Sequence, residues 1–407
     1  MKSVIPFLLI VAASQAADWP TFRGADRTDI CTETGLLKKW PTEGPKKLWM
    51  NQDAGLGYSG YAIVGTTLYT MGARDAVEYV IAIDTTTGKE KWSAEAGALL
   101  TNGWGDGPRS TPTVDGDKVY ALSGKGALVC LNAADGKQLW AASMTELGGK
   151  VPGWGYCESP HIEGSLVIVT PGGAQGTLAA FDKLNGKLAW QSAEWTDPAQ
   201  YASMISASHN GSRQLIQLTM QSIAGINSLD GKILWKTDFP GKTAVIPTPI
   251  FKDGQVFVAA GYGVGCKSIK IAANNSVENL YENTDMVNHH GGVILVGDHL
   301  YGYNDKAGWT CMDFKTGAVK WADKKGLGKG AIHCADGMLY LLEERTGTVV
   351  LIEADPNGWK EHGRFTLSPQ TTQRNPKGMV WTHPVVSGGK LYLRDQELLF
   401  CYDVSGK

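Results

Sequence analysis

The chain is 407 residues long and carries 38 Lys and Arg against 40 Asp and Glu, a formal net charge of −2. That balance, with no basic run, argues against a nucleic-acid surface, and beyond the N-terminus no apolar stretch approaches the length of a membrane-spanning helix. Seven cysteines is an odd number, so at least one thiol is unpaired within the chain and no disulfide can be assigned.

Residues 1–16, MKSVIPFLLIVAASQA, place a lysine ahead of an apolar run that ends in small residues. This is the pattern of a secretory signal peptide, with cleavage expected after Ala16. The mature protein, residues 17–407, is therefore expected to be exported, periplasmic or extracellular, and to form one domain. Residues 18–45 are irregular and rich in Gly, Thr and charge, and are expected to pack across one face of the fold.

From there the chain repeats itself. An acidic or amide residue, a glycine turn and a tryptophan recur as Asp84 to Trp92, Asn132 to Trp140, Asp182 to Trp190, Asn227 to Trp235 and Asp313 to Trp321. Two degenerate copies end at Tyr281 and Phe365. The last copy stops at Asp403-Val404-Ser405-Gly406-Lys407, short of a final strand. That missing strand is available in KKLWMN, residues 46–51, with Trp49 as its tryptophan. The period of about 40–50 residues, with four short strands per unit, predicts an all-β, eight-bladed β-propeller. Each blade is a four-stranded antiparallel sheet, strands A to D from the axis outward. The ring is predicted to close by pairing N- and C-terminal strands in one blade, which hides the sheet edges. The recurring tryptophan is expected to wedge against the next blade. Cys130, Cys311 and Cys401 hold one position in three blades and read as small buried hydrophobes.

Strand A starts are predicted near residues 59–64, 110–114, 159–162, 205–209, 247–251, 291–296, 331–335 and 383–387. Alternating strand directions put the D-to-A and B-to-C connections on one face of the ring. The D-to-A connections are long, notably 100–108, 147–158, 284–290, 325–330 and 368–382, and long loops on one face of a rigid ring are where sites are built.

The A-x-D-x-x-T-G-x-x-x-W pattern, clearest over residues 82–92, resembles the repeat of pyrroloquinoline-quinone (PQQ) enzymes. DWPTFRG, GPRSTPTVDG, GYGVGC, NHHGG, KGLGKG and LYLRD are similar to stretches of exported bacterial PQQ-like propellers of the quinoprotein alcohol dehydrogenase superfamily. The resemblance covers the mature chain. It implies the architecture and leaves activity open, because non-catalytic relatives share the repeat. It also implies PQQ with Ca²⁺ as a possible cofactor. The departures are a missing Cys-Cys pair, Ca²⁺ ligands that cannot be matched residue by residue, and no CxxCH haem motif.

Several residues could carry chemistry. Asn288, His289 and His290 sit in a D-to-A connection and could hold a transition metal or exchange protons. On a regular strand, however, adjacent side chains face opposite ways. His161, His209, His333 and His383 lie on inner strands. Arg109 and Glu158 hold equivalent places in neighbouring blades, where they could bind an anion and activate water, or pair with each other; pairing is the expectation here. Trp104, Trp154 and Trp381 could stack on a planar cofactor or a sugar, with Lys329 and Arg394 as cations of the same face. The GYGVG run opens no helix, so it is a B-to-C turn and not a phosphate loop.

The leading expectation is a monomeric propeller that binds a small molecule, protein or polysaccharide on its loop face. The alternatives are a PQQ- and Ca²⁺-dependent oxidoreductase acting on an alcohol or sugar, and a metal-dependent enzyme centred on His289 and His290.

Overall fold

The computed structural model describes residues 18–406. The expected signal peptide lies outside these residues. Among them all regular structure is β, in 33 strands, and no helix is long and apolar enough to cross a membrane.

The strands form eight sheets, each built on a four-stranded antiparallel order. The first blade is Ala62–Val64, Thr67–Arg74, Val77–Asp84 and Glu90–Ala98. The inner strands of blades 2 to 8 are Thr113–Asp115, His161–Glu163, Ile205–His209, Ile250–Lys252, Val293–Val296, Gly330–Ala335 and Val385–Ser387. Inner strands of neighbouring blades approach one another, which sets them around the axis. The middle strands, such as Lys118–Leu122 and Ala127–Asn132, are almost wholly buried, whereas outer strands such as Gln138–Ser143 are largely exposed or half-buried.

The ring closes between the two ends of the chain. Lys46–Asn51 pairs antiparallel with Leu398–Asp403, with Lys46 opposite Asp403 and Trp49 opposite Cys401. The same sheet contains Lys390–Asp395 and Val385–Ser387.

Several of the repeat aromatics bond the following blade, whereas the Trp235 indole bonds Gln214 in its own blade and Trp190 Nε1 has no hydrogen-bond partner. Trp49, Trp92 and Trp140 donate their indole N–H to the carbonyls of Thr85, Ala133 and Lys183 in the following blade, at 3.0, 3.1 and 3.1 Å. At the degenerate repeat, Tyr281 donates its hydroxyl to Phe314 O at 2.9 Å, so a different polar atom makes the equivalent contact. The ring of Trp49 lies flat on Gly88, where an added Cβ would fall 2.6 Å from it and where φ is +71°. Only glycine meets both conditions without strain. All seven cysteines are free thiols.

Residues 18–45 are more deeply inserted than a segment lying across one face. Trp19 bridges Ile63 of blade 1, and Ile30–Cys31 adds a parallel fifth strand to blade 7. Thr21 bonds Thr113 in blade 2 at 2.7 Å. The Arg27 guanidinium donates to the carbonyls of Ser159 and Pro160 in blade 3 and Met204 at blade 4. Arg23 donates to Val293 O in blade 6 at 2.7 Å. Asp29 receives His333 of blade 7 and His383 of blade 8. Both arginines and Asp29 are buried, and through these bonds the segment plugs the axis and reaches blades 1 to 4 and 6 to 8.

Candidate functional site: an aromatic funnel above the axial plug

Strand A begins two or three residues later than predicted in several blades. Ser59, Gly60 and Tyr61 precede Ala62–Val64 without a ladder partner. Their polar groups are satisfied sideways. Gly60 N–H donates to Thr111 Oγ1, Thr111 N–H to Ser159 Oγ, and Ser159 N–H to Ser203 Oγ, at 3.1, 3.0 and 3.0 Å. This hydroxyl chain ties blades 1 to 4 together around the mouth of the axis. The signal for it was present as recurring Ser or Thr at the strand A entrances.

Above this girdle lies a cavity of about 380 Å³, floored by Phe22 and Arg23 of the plug. Its walls bring together Trp104, Trp154, Trp381, Arg109, His289, His290 and His383. Tyr58, Tyr201, Tyr262 and Cys157 also line it and were not anticipated as site residues.

The walls are ordered by ring contacts. Trp381 packs on Tyr58 with centroids 5.0 Å apart, and the Arg109 guanidinium lies 5.1 Å from the centre of the Tyr58 ring. Tyr58 donates its hydroxyl to Trp104 O at 2.8 Å. Gly105 makes this seat possible, because a Cβ there would fall 2.1 Å from the Tyr58 hydroxyl. Trp154 meets Tyr201 edge to face at 5.6 Å. Trp104 is 45% exposed at the rim, with Lys377 Nζ 5.8 Å from its ring centre.

Arg109 donates to Gly107 O and Gly105 O at 2.9 and 2.8 Å. It does not pair with Glu158, against expectation. Glu158 turns the other way, into the seam between blades 3 and 4. There it accepts from Thr170 N–H, from Thr170 Oγ1 at 2.7 Å and from Gln217 Nε2 at 3.2 Å. Burial is the main influence on its carboxyl and pushes it up to about 7. Arg394 is likewise remote from the cavity. It is wholly buried and donates to carbonyls of Ala54, Gly55, Ser59, Met71 and Gln396. Lys329 is drawn off by Asp305 at 2.8 Å.

His289 and His290 have different surroundings. His289 Nε2 bonds the Tyr262 hydroxyl at 2.9 Å. Burial, aided by the charge of Lys329, lowers its pKa to about 4, so the ring is neutral near pH 7. His290 has both ring nitrogens buried without a hydrogen bond; Glu344 Oε2 is 3.5 Å from Nε2. Burial and the neighbouring His289, Lys329 and His383 hold it well below the ordinary imidazole range. Asn288 directs its amide to Gly292 O and Tyr303 O, both at 3.0 Å. Among the described residues no three His, Cys, Asp or Glu side chains gather as a metal site. Asn288 Oδ1 is buried without a hydrogen-bond partner, as are both ring nitrogens of His290.

His383 lines the cavity and joins Asp29 to His290 O, at 3.4 and 2.9 Å. His161 and His209 stay with blade contacts, near Glu163 and on Ile271 O respectively.

Residues 41–323 match the profile of a family described as outer membrane protein assembly factor BamB. Tetrathionate hydrolase of Acidithiobacillus ferrooxidans is 23% identical over 306 residues, which is 74% of this chain and 52% of that protein. The chain thus spans about half the length of this curated relative. Quinohemoprotein alcohol dehydrogenase from Comamonas testosteroni superposes with a TM-score of 0.66 and 13% identity, over 96% of this chain and 81% of that one. BamB from Moraxella catarrhalis superposes with a TM-score of 0.61 and 15% identity, over 88% and 97%. At such identities the likeness shows the fold.

The resemblance implies a quinone held with Ca²⁺, and the donor set speaks against it. Ca²⁺ takes six to eight oxygen ligands, carboxylates foremost. The funnel lining contains no Asp, Glu, Asn or Gln. A planar ring would find aromatic walls here, but a hard cation would find no anionic oxygen.

Proposed function

The chain belongs to the family described as outer membrane protein assembly factor BamB, and from that premise we propose that it is an exported propeller that binds a small aromatic molecule in its funnel. The observation that carries this reading is the composition of the walls: Trp104, Trp154, Trp381, Tyr58 and Tyr201 around about 380 Å³, with no carboxylate or carboxamide. That volume lies in the range of small-molecule sites and is small for a protein segment. Aromatic walls hold planar ligands by stacking and apolar burial.

A sugar or polysaccharide is the weaker occupant. Each sugar hydroxyl taken from water needs a partner. The funnel hydroxyls of Thr111, Ser159 and Ser203 already accept bonds between blades. Oxidation of an alcohol through a calcium-held quinone lacks side-chain carboxylate or carboxamide ligands in this lining.

The test is calorimetric titration of the mature protein with 1-naphthol and, separately, with maltose, in a buffer containing EDTA. The reading expects saturable binding of the aromatic probe, with Kd in the range of about 1 μM to 1 mM, and no heat from the sugar. Binding of maltose without binding of 1-naphthol would reject it.

A further inference from the structure

The two polar poles of the funnel are chemically unlike and lie on opposite sides of the ring. Arg109 precedes the inner strand of blade 2, and His289 precedes that of blade 6, four blades away in a ring of eight. Both line the same cavity.

At the first pole, Arg109 has no carboxylate within 4 Å among the described residues, and only two of its bonds, both to glycine carbonyls, are made by protein. A guanidinium has five donors in a planar fork that suits a carboxylate. The other cation of the lining, Arg23, already faces Asp29 at 3.6 Å. Arg109 is therefore a cation of the lining without an ion pair, with the Glu78 carboxyl behind it as its electrostatic neighbour and no acid in the lining itself.

At the second pole, Tyr262 and His289 form a neutral pair, hydroxyl to Nε2 at 2.9 Å, with rings edge to face at 4.7 Å. Tyr262 has a φ of 56°, left-handed and uncommon for an aromatic residue. Gly261 beside it allows close approach: a Cβ there would lie 3.0 Å from His289 Cα. The turn thus holds a 39% exposed tyrosine against the imidazole at the funnel wall. A phenol bonded to a neutral imidazole offers a donor and an acceptor without charge, which suits a ligand hydroxyl.

We infer that the funnel takes an aromatic carboxylate with a hydroxyl at the far end of the molecule, the carboxylate at Arg109 and the hydroxyl at Tyr262–His289, with no metal ion between them. This rests on the aromatic-funnel reading above and adds polarity and direction to it.

The probes are 4-hydroxycinnamate, cinnamate and 4-hydroxycinnamyl alcohol, titrated calorimetrically with and without EDTA. The wild type is expected to bind the hydroxy acid about tenfold more tightly than the alcohol, since a charge-assisted pair is lost. Its preference over cinnamate is expected to be about fivefold, for one neutral hydrogen bond. EDTA should change neither ratio. Arg109→Gln should remove the first preference and keep the second; Tyr262→Phe should do the reverse. Equal binding of acid and alcohol, or of hydroxycinnamate and cinnamate, by the wild type overturns the inference while leaving the aromatic funnel standing. If 1-naphthol and all three probes fail to bind, the funnel reading itself falls. The wild-type series decides the matter even if a variant does not fold.

Discussion

The carboxylate of Asp29 accepts a hydrogen bond from His333 Nδ1 at 2.9 Å, across 304 residues of sequence, and both side chains are sealed from solvent. This contact pins the N-terminal plug to blade 7, while His383 and Arg23 face the same carboxylate at 3.4 and 3.6 Å. Burial alone would raise the Asp29 carboxyl, but the bonds from His333 and His383 and the charge of Arg23 overcome it and hold it far below the usual range. The stabilisation is then full above the unfolded pKa near 4 and fades as pH falls below it. Asp29→Asn should lower unfolding stability by about 3–5 kcal/mol at neutral pH, because it strips the buried guanidinium of its counter-charge. The difference from wild type should shrink below pH 4, as read by denaturant titration.

Glu158 has the opposite pH signature. Its carboxyl is pushed up to about 7 by burial, against the bonds from Thr170 and the charge of Arg27. A raised folded-state pKa favours folding at low pH, and the benefit is lost as pH rises from about 4.5 through 7. The shift corresponds to about 3 kcal/mol. Glu158→Gln should therefore gain on the wild type by up to about that amount between pH 5 and 8, measured by urea midpoints in parallel buffers. A pH-independent difference would contradict this assignment.

Arg394 joins the closing blade to blade 1. Its fork reaches Met71 O at 2.7 Å, Thr70 Oγ1 at 2.8 Å and Gly55 O at 2.8 Å. A lysine cannot reproduce that planar set of donors. Arg394→Lys should cost about 3 kcal/mol, since several buried carbonyls lose their partners. It should leave binding of aromatic probes intact at temperatures where the variant is folded.

Ring closure can be tested through Trp49 and Gly88, which meet across the seam between blades 8 and 1. Trp49→Ala should cost about 3 kcal/mol. Gly88→Ala should cost about 1–3 kcal/mol, as its Cβ would strike the indole and its backbone is left-handed. The double variant should cost less than the sum, because removing the ring removes the clash. Full additivity would argue against their contact.

The blades were legible because their signals are local: an Asx residue, a glycine turn and a tryptophan within ten residues. Closure was legible because the last repeat stops at Asp403 while a spare strand stands at residues 46–51. The funnel walls were partly legible, since Trp104, Trp154, Trp381 and Arg109 sit in long D-to-A loops that topology sends to one face. The plug was not, because residues 18–45 carry no repeat and their arginines bind backbone carbonyls up to 270 residues away. Nor was the direction of Glu158 or Arg394. A charged side chain at a blade edge can turn to the seam or to the funnel, and the choice depends on how neighbouring blades pack.

The most direct test of the aromatic funnel is a crystal of residues 17–407 soaked with 4-hydroxy-3-iodobenzoate, with the iodine located by anomalous scattering. The account predicts one principal peak inside the ring of Trp104, Trp154 and Trp381, above Phe22. A principal peak elsewhere on the molecule, or none at concentrations that saturate binding in solution, would contradict it.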